Sequence, residues 1–288
     1  MKVLLGIEGG IGKHIAATGA IKAAKQRGYE VDVVCAHPLA LQGNTDIHRV
    51  YEWQRGEYFF EKFDDYDRVV LNDPYRNQKF LTGELSLAQA WAELLLDELI
   101  EAEDQFLPNY EISLAEEQEI LQFIKDFKKP ILAVQTNGGQ HAGWAWTKDM
   151  PLTEAAEVLN LFTEKYEIIH FRQKGQPAIE GIRHTEDLNF RQCIALLARS
   201  EKRFLIDSYL QHAAAALNLP STVYWATTTV KQFGYDLHDN IPAYEPQLNN
   251  MDRLELLFPG LDHSSDKCPW RAGDRMIKIE ETVASLKG

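Results

Sequence analysis

Two short stretches of the chain carry residue types suited to a phosphorylated ligand. The first is Asp207-Ser208-Tyr209-Leu210-Gln211-His212. Residues 203–206 before it read as a short buried strand, the alanine-rich run over 213–217 as a helix, and residues 222–225 as the returning strand. Asp207, Ser208, Gln211 and His212 then fall in a strand-to-helix turn or the first turn of the helix. Ligands of open α/β sheets bind at the carboxyl ends of strands, and the free N–H groups of a helix start suit an anion. A helix cap beside a half-exposed histidine is the other reading of the same residues.

The second stretch is Glu8-Gly9-Gly10-Ile11-Gly12-Lys13-His14, after an apolar run over residues 3–7. It is similar to a variant phosphate loop, but His14 stands where a magnesium-holding hydroxyl belongs, and the ordinary spacing needs glycine at Ile7. A dinucleotide fingerprint fails as well, because its third small residue is missing. A turn bringing the backbone close to a sugar, around Gly10 and Gly12, is the third possibility, and a tight turn alone would also explain the glycines. Thr227-Thr228-Thr229 forms a third polar stretch, whose hydroxyls suit phosphate, strand or turn alike.

These stretches need elements to hold them. Strand 3–7, helix 13–27 and strand 31–35 form a βαβ unit, with Gly28 as helix terminator. Residues 37–64 read as irregular and aromatic, with Trp53, Tyr58, Phe59 and Phe60. Residues 66–73 read as a turn and a third strand; Asp65-Tyr66-Asp67 has the Asp-x-Asp spacing of some metal-binding sugar transferases, but lies before that strand and reads as a solvated turn. Apolar spacing at Leu87, Trp91, Leu94, Leu95 and Leu99 predicts a helix over 85–100 with Trp91 in the core. A further helix is expected over 116–127.

Lys129-Pro130 marks the expected boundary, giving domains over 1–128 and 129–288. Beyond it come strand 131–135, the polar turn Thr136-Asn137-Gly138-Gly139, the loop 141–146, helix 153–165 and strand 168–171. Asn189 and Gln192 form a capping-box pattern for helix 190–199, and a last helix is expected over 274–286. The fold class expected is α/β, with two Rossmann-like domains of mostly parallel strands facing an interdomain cleft.

Composition narrows the function. The 288 residues carry a formal net charge of −13, which disfavours a broad nucleic-acid surface because phosphate neutralisation needs clustered Lys and Arg. Cys35, Cys193 and Cys268 are too few and too scattered for a disulfide framework or zinc motif. No apolar run reaches the length of a membrane span. The expectation is a cytoplasmic protein.

Asp207-Ser208-x-x-x-His212, followed by the alanine-rich helix, Leu217, Pro220 and a strand, resembles the heptosyltransferases of glycosyltransferase family nine, including relatives encoded by tailed phages. Gly10-Ile11-Gly12, Tyr66-Asp67-Arg68-Val69-Val70, Lys148-Asp149-Met150-Pro151, Thr227-Thr228 and Phe233-Gly234-Tyr235 resemble further segments of that family in order. The resemblance implies a GT-B fold, with the N-terminal domain on the acceptor side and the C-terminal one binding a nucleotide-diphosphate sugar, typically ADP-heptose. It also implies inverting transfer to a hydroxyl without metal or other cofactor.

On this reading Lys148, Asp207, Ser208, Gln211, His212, Thr227 and Thr228 bind the donor, with Asp207 orienting its turn. The family's catalytic Asp falls at Lys13. His14 is then the expected base, with Glu8 as substitute and Lys13 as a phosphate or acceptor contact. Tyr209 replaces a family glycine and would narrow the donor pocket. The acceptor would be a glycan, a protein or modified DNA. Alternatives are a phage glycosyltransferase acting on hydroxymethylated DNA bases, a non-catalytic nucleotide-sugar binding protein and, more distantly, a phosphate-loop NTPase.

Overall fold

The computed structural model describes residues 1–53, 64–138, 144–244, 268–271 and 273–288. Tyr58, Phe59, Phe60, Gly139 and His141 lie outside the described residues. The chain forms two compact units: residues 1–111 with 215–217, and residues 112–214 with 218–288.

The first unit contains β1 (Lys2–Ile7), α1 (Ile11–Gln26), β2 (Glu30–Cys35), β3 (Arg49–Glu52), β4 (Arg68–Val70), α2 (Gln78–Leu81) and α3 (Leu87–Leu96). Its four-stranded sheet has the order β3-β2-β1-β4, and every pairing is parallel. β1 and β2 are buried along nearly their whole length, as expected where apolar residues run without alternation. Strand β3 was not foreseen: Arg49-Val50-Tyr51-Glu52 is short, half-exposed and at the sheet edge.

Helix α1 is enclosed on most of its circumference, with Lys13, His14, Thr18 and Gly19 among its buried residues. A Cβ built on Gly19 would stand 2.3 Å from the Phe106 carbonyl oxygen, so the chain passes where a side chain would be. Gly19→Ala is expected to lower stability by about 1–3 kcal/mol or more, as overpacking does, despite alanine's better helix propensity. Urea denaturation measures it. Helix α3 opens in a capping box between Ser86 and Gln89 and ends at Asp97, in the left-handed region at φ 58°. Trp91 is core as its spacing predicts, whereas Leu99 lies beyond the helix and is 78% exposed.

The second unit contains α4 (Leu114–Phe123), β5 (Ile131–Val134), α5 (Leu152–Asn160), β6 (Glu167–His170), β7 (Arg183–His184), α6 (Phe190–Ala198), β8 (Lys202–Ile206), α7 (Tyr209–Ala216), β9 (Thr222–Trp225), α8 (Val230–Phe233), β10 (Asp239–Pro242) and α9 (Ile279–Lys287). Its six-stranded sheet runs β10-β9-β8-β5-β6-β7, again wholly parallel. The Asn189/Gln192 capping box is present. β7 and β10 were not foreseen.

The division falls at Glu111/Ile112, earlier than the boundary expected at Lys129. Helix α4, expected in the N-terminal domain, belongs to the second unit because α6 holds it. Arg191 donates to Glu116 through Nη2 at 2.9 Å, Arg199 to Glu117 at 3.1 Å and Gln192 to Glu119 at 2.8 Å. Glu116 is held down to about 2: burial opposes the charge, but Arg191 and Ser113 more than offset it.

Strand order matters more for function than strand count. In the second sheet the order reverses between the neighbours β5 and β8, and in the first between β1 and β4. Such switch points leave a crevice outside the carboxyl ends of the two strands, where open α/β sheets bind ligands. The polar stretches singled out in the sequence follow β8 and β1.

Candidate functional site

At the second unit's switch point, β5 leads into Gln135, Thr136 and Asn137, and β8 into Asp207 and Ser208. Asp207 is buried, and its Oδ2 lies 2.9 Å from Nζ of Lys148, whose side chain is 41% exposed. Burial pushes the Asp207 carboxyl up, but the Lys148 ammonium outweighs it and holds the group below the usual carboxylate range. The Lys148 amine also sits 5.7 Å from the Phe233 ring centroid. Gln135 Nε2 donates to Ser208 Oγ at 3.2 Å, so the two strand ends are tied together. Ser208 and Thr228 are half-buried. Thr229 caps α8 by accepting from the Gln232 amide.

Lys148 is aimed by a residue to which the sequence reading gave no role. The Asp149 carboxylate is 1% exposed and accepts from Asn137 Nδ2 at 3.0 Å, Gly138 N at 2.7 Å and Ala145 N at 2.8 Å. It joins the turn after β5 to the segment that carries Lys148. Met150 N donates to the Thr136 carbonyl at 2.9 Å, which closes the same loop. Thr227 was expected to bind donor. Its hydroxyl donates instead to the Thr147 carbonyl at 2.7 Å, so its proton serves the loop. Asp149→Ala strips buried amides of their acceptor and is expected to cost about 2–4 kcal/mol. Asp149→Asn retains one acceptor oxygen and is expected to cost less. Thermal denaturation of both variants checks this.

Gln211 and His212 are 0% and 4% exposed. Gln211 Nε2 donates to the Phe233 carbonyl at 3.0 Å. His212 Nδ1 is 2.8 Å from the Tyr235 hydroxyl, and the rings stand edge to face at 5.6 Å. The His238 ring follows on the other side of Tyr235 at 5.9 Å. Burial lowers His212 to about 4 and pushes Tyr235 up. The expected half-exposed histidine is therefore enclosed and neutral. It packs the first turn of α7 against the 233–238 segment. Of the residues expected to bind donor, Lys148 and Ser208 keep partial exposure, whereas the Thr228 hydroxyl is buried toward Asp207.

In the first unit, the glycine turn precedes a helix start at Ile11. The conformational demand falls on Gly9, at φ +90°, rather than on Gly10 or Gly12. Glu8 is exposed. His14 does not fit its expected role as base. It is 0% exposed, its Nδ1 lies 2.9 Å from the Gly10 carbonyl, and its Nε2 lies 3.3 Å from the His37 amide. Burial lowers its proton affinity to about 4. Both ring nitrogens hold backbone, which leaves none facing a substrate. Lys13 is buried at 7%, and its Nζ makes an ion pair with Asp73 Oδ2 at 2.7 Å. The amine also lies 4.3 Å from the Tyr75 ring centroid. Asp73 follows β4, the other strand of this unit's switch point. Asp67 accepts from the Lys2 amide at 2.6 Å, within the turn expected there. Among the described residues, no three His, Cys, Asp or Glu side chains group in a way that could hold a metal ion.

No protein-family model and no curated protein matches this chain. Solved structures do. A glycosyltransferase of family nine from Veillonella parvula matches with a TM-score of 0.69 at 12% identity, over 99% of this chain and 96% of that one. The ADP-heptose lipopolysaccharide heptosyltransferase II of E. coli matches with a TM-score of 0.64 at 16% identity, over 89% of this chain and 97% of that one. The iron-containing dodecameric glycosyltransferase TibC of enterotoxigenic E. coli matches with a TM-score of 0.60 at 11% identity, over 98% of this chain and 72% of that one. TibC has also been solved with ADP-D-beta-D-heptose. With its two wholly parallel α/β units and a likeness to these enzymes along most of its length, the chain has the GT-B fold of the heptosyltransferases.

Proposed function

We propose that this protein is a glycosyltransferase that moves a sugar from a nucleotide-diphosphate sugar to an acceptor hydroxyl, with inversion and without a metal ion. ADP-heptose is the first donor to test, because TibC binds it and heptosyltransferase II is named for it. The observation that carries the reading is the charge arrangement at the second unit's switch point. A half-exposed Lys148 is held by the buried Asp207 carboxylate, beside Ser208 and the first amides of α7.

Breaking a sugar–diphosphate bond leaves negative charge on the departing oxygen. Preorganised donors aimed at that charge lower the barrier. Lys148 supplies a cation, Ser208 supplies a hydroxyl, and the start of α7 supplies amides with the positive end of a helix dipole. Asp207 contributes by orientation: it fixes the ammonium without facing the diphosphate. The acceptor enters on the first unit's side. Cytoplasmic residence is part of the proposal. Among the described residues no helix is long and apolar enough to cross a membrane.

A thermal-shift screen tests it, with ADP, UDP, GDP and their sugars, each with magnesium, with iron(II) and with chelator. A nucleoside diphosphate at a hundred times its Kd adds about 2.7 kcal/mol to stability. The expected result is stabilisation by ADP and ADP-heptose that survives the chelator. Stabilisation by ATP with magnesium alone would overturn the reading in favour of a nucleotide hydrolase, and no shift with any diphosphate would overturn the site itself.

A further inference from the structure

We infer that Asp73 is the general base of the reaction, that Lys13 is its positioning residue, and that the acceptor hydroxyl is received at the switch point of the first unit. This rests on the glycosyl-transfer reading above.

The placement comes from the sheet. With the order β3-β2-β1-β4, the reversal lies between β1 and β4, and the crevice outside their carboxyl ends is where this unit can take a ligand. β1 delivers the glycine turn to that crevice, and β4 delivers Leu71-Asn72-Asp73. Of the ionisable groups there, His14 is enclosed, Lys13 is consumed by its ion pair, and Glu8 is exposed, with no partner among the described residues to fix its direction. Asp73 combines partial exposure with fixed direction. Its side chain is 35% exposed. Oδ2 accepts from Lys13 Nζ at 2.7 Å, and Oδ1 accepts from the Tyr75 amide at 2.9 Å. Each carboxylate oxygen keeps a second lone pair, so the group can accept a substrate hydroxyl without giving up either anchor.

The anchoring is unusual for a structural ion pair. A surface Asp–Lys pair costs two flexible side chains their freedom and is worth little. Here the lysine is 6% exposed at its side chain and lies against the Tyr75 ring, so the carboxylate is presented by a rigid partner. General-base geometry needs that rigidity.

The step balances as a single displacement. The acceptor oxygen forms a bond to the anomeric carbon while its proton passes to Asp73. The bond from that carbon to the diphosphate oxygen breaks, and the electron pair leaves with the nucleoside diphosphate. The proton is then returned to water.

The substitution Asp73→Asn tests this, because asparagine caps a turn as well as aspartate but cannot take the proton, although it also leaves the Lys13 ammonium without its carboxylate. The assay follows ADP release from ADP-heptose by the full chain, with water and with a panel of mono- and oligosaccharide acceptors. ADP affinity and thermal stability are measured alongside. We expect Asp73→Asn to lower kcat by at least about a hundredfold, as removal of a general base does, with ADP affinity unchanged and a lower melting temperature, because the buried Lys13 ammonium loses its counter-charge. Adding Lys13→Met to Asp73→Asn is expected to restore the melting temperature but not kcat. Lys13→Met keeps the carboxylate but loses its aim, and is expected to lower kcat less while raising the acceptor KM. Turnover by Asp73→Asn within threefold of wild type would overturn the assignment and leave the transfer reading intact. A wild-type protein that binds ADP but releases none from ADP-heptose with any acceptor would overturn transfer, and this base with it.

Discussion

Lys148→Ala is expected to weaken ADP binding by about ten- to a hundredfold. A charge-assisted hydrogen bond to phosphate is worth about 1.5–3 kcal/mol, and each 1.4 kcal/mol is a factor of ten in Kd. The substitution has a second effect. Asp207 is buried and owes its low proton affinity to that ammonium. Without Lys148 the carboxylate is left in a low-dielectric setting, and the protein loses about 1–3 kcal/mol of stability or takes up a proton there. Adding Asp207→Asn to Lys148→Ala is expected to restore most of the stability and none of the affinity. Isothermal titration with ADP and urea denaturation across the four proteins give the coupling. Wild-type affinity in Asp207→Asn, with Lys148 present, would show that the ammonium needs no orienting carboxylate.

Acidification from pH 7 to pH 5 is expected to destabilise the fold severely, by on the order of 4–6 kcal/mol from its histidines alone. His14, His170 and His212 are 0%, 0% and 4% exposed, and burial lowers them to about 4, about 3 and about 4. The unfolded chain binds protons at these sites below about pH 6.5 and the folded chain does not. Their contribution is therefore complete above that value and is lost as pH falls from about 6.5 toward 4. At pH 5 each histidine accounts for about 2 kcal/mol, against a total stability of about 5–15 kcal/mol for a typical protein. Urea midpoints between pH 7.5 and 5 measure it. His170→Gln can keep a partner for the Thr136 hydroxyl, which lies 2.7 Å from the ring, and is expected to flatten the profile by about one histidine's share. An unchanged profile in that variant would show that His170 is protonated in the fold.

What the sequence disclosed follows from the range of the interactions involved. The β8–α7–β9 unit, the glycine turn and the Asn189/Gln192 box are legible because neighbouring residues determine them. The core position of Trp91 follows from helical spacing for the same reason. The pairs at the two units' switch points span long stretches of chain instead. Lys148 meets Asp207, Lys13 meets Asp73, and Gln135 meets Ser208 only after the strands are ordered in their sheets. Nothing within a short window announces them. Asp149 was hidden differently: Lys148-Asp149-Met150 looks like an exposed approach to a helix, whereas its carboxylate is the buried hub of that loop. His14 was misread because α1 is enclosed nearly all round. A helix with no polar face gives no sign of which polar residues face inward. The edge strands β3 and β10 are too short and too polar for a periodicity argument.

The wholly parallel construction of both sheets also governs how this chain must come into being. Parallel neighbours cannot be joined by a hairpin, so β1 waits for β4 and β5 waits for β8. Val3 pairs opposite Arg68, and Leu132 opposite Lys202. Helix α9 then packs on α5, β8, β9 and β10, with Leu286 buried and Ser285 bonded to Thr222 and Asp239. During synthesis the faces of β8 and β9 that α9 covers therefore stay open until residues 279–287 have been added. Such an assembly order makes folding slow and leaves the nascent chain open to aggregation. Overexpression at low temperature with added chaperone is expected to raise the soluble yield, while removal of residues 279–288 is expected to send the product into inclusion bodies.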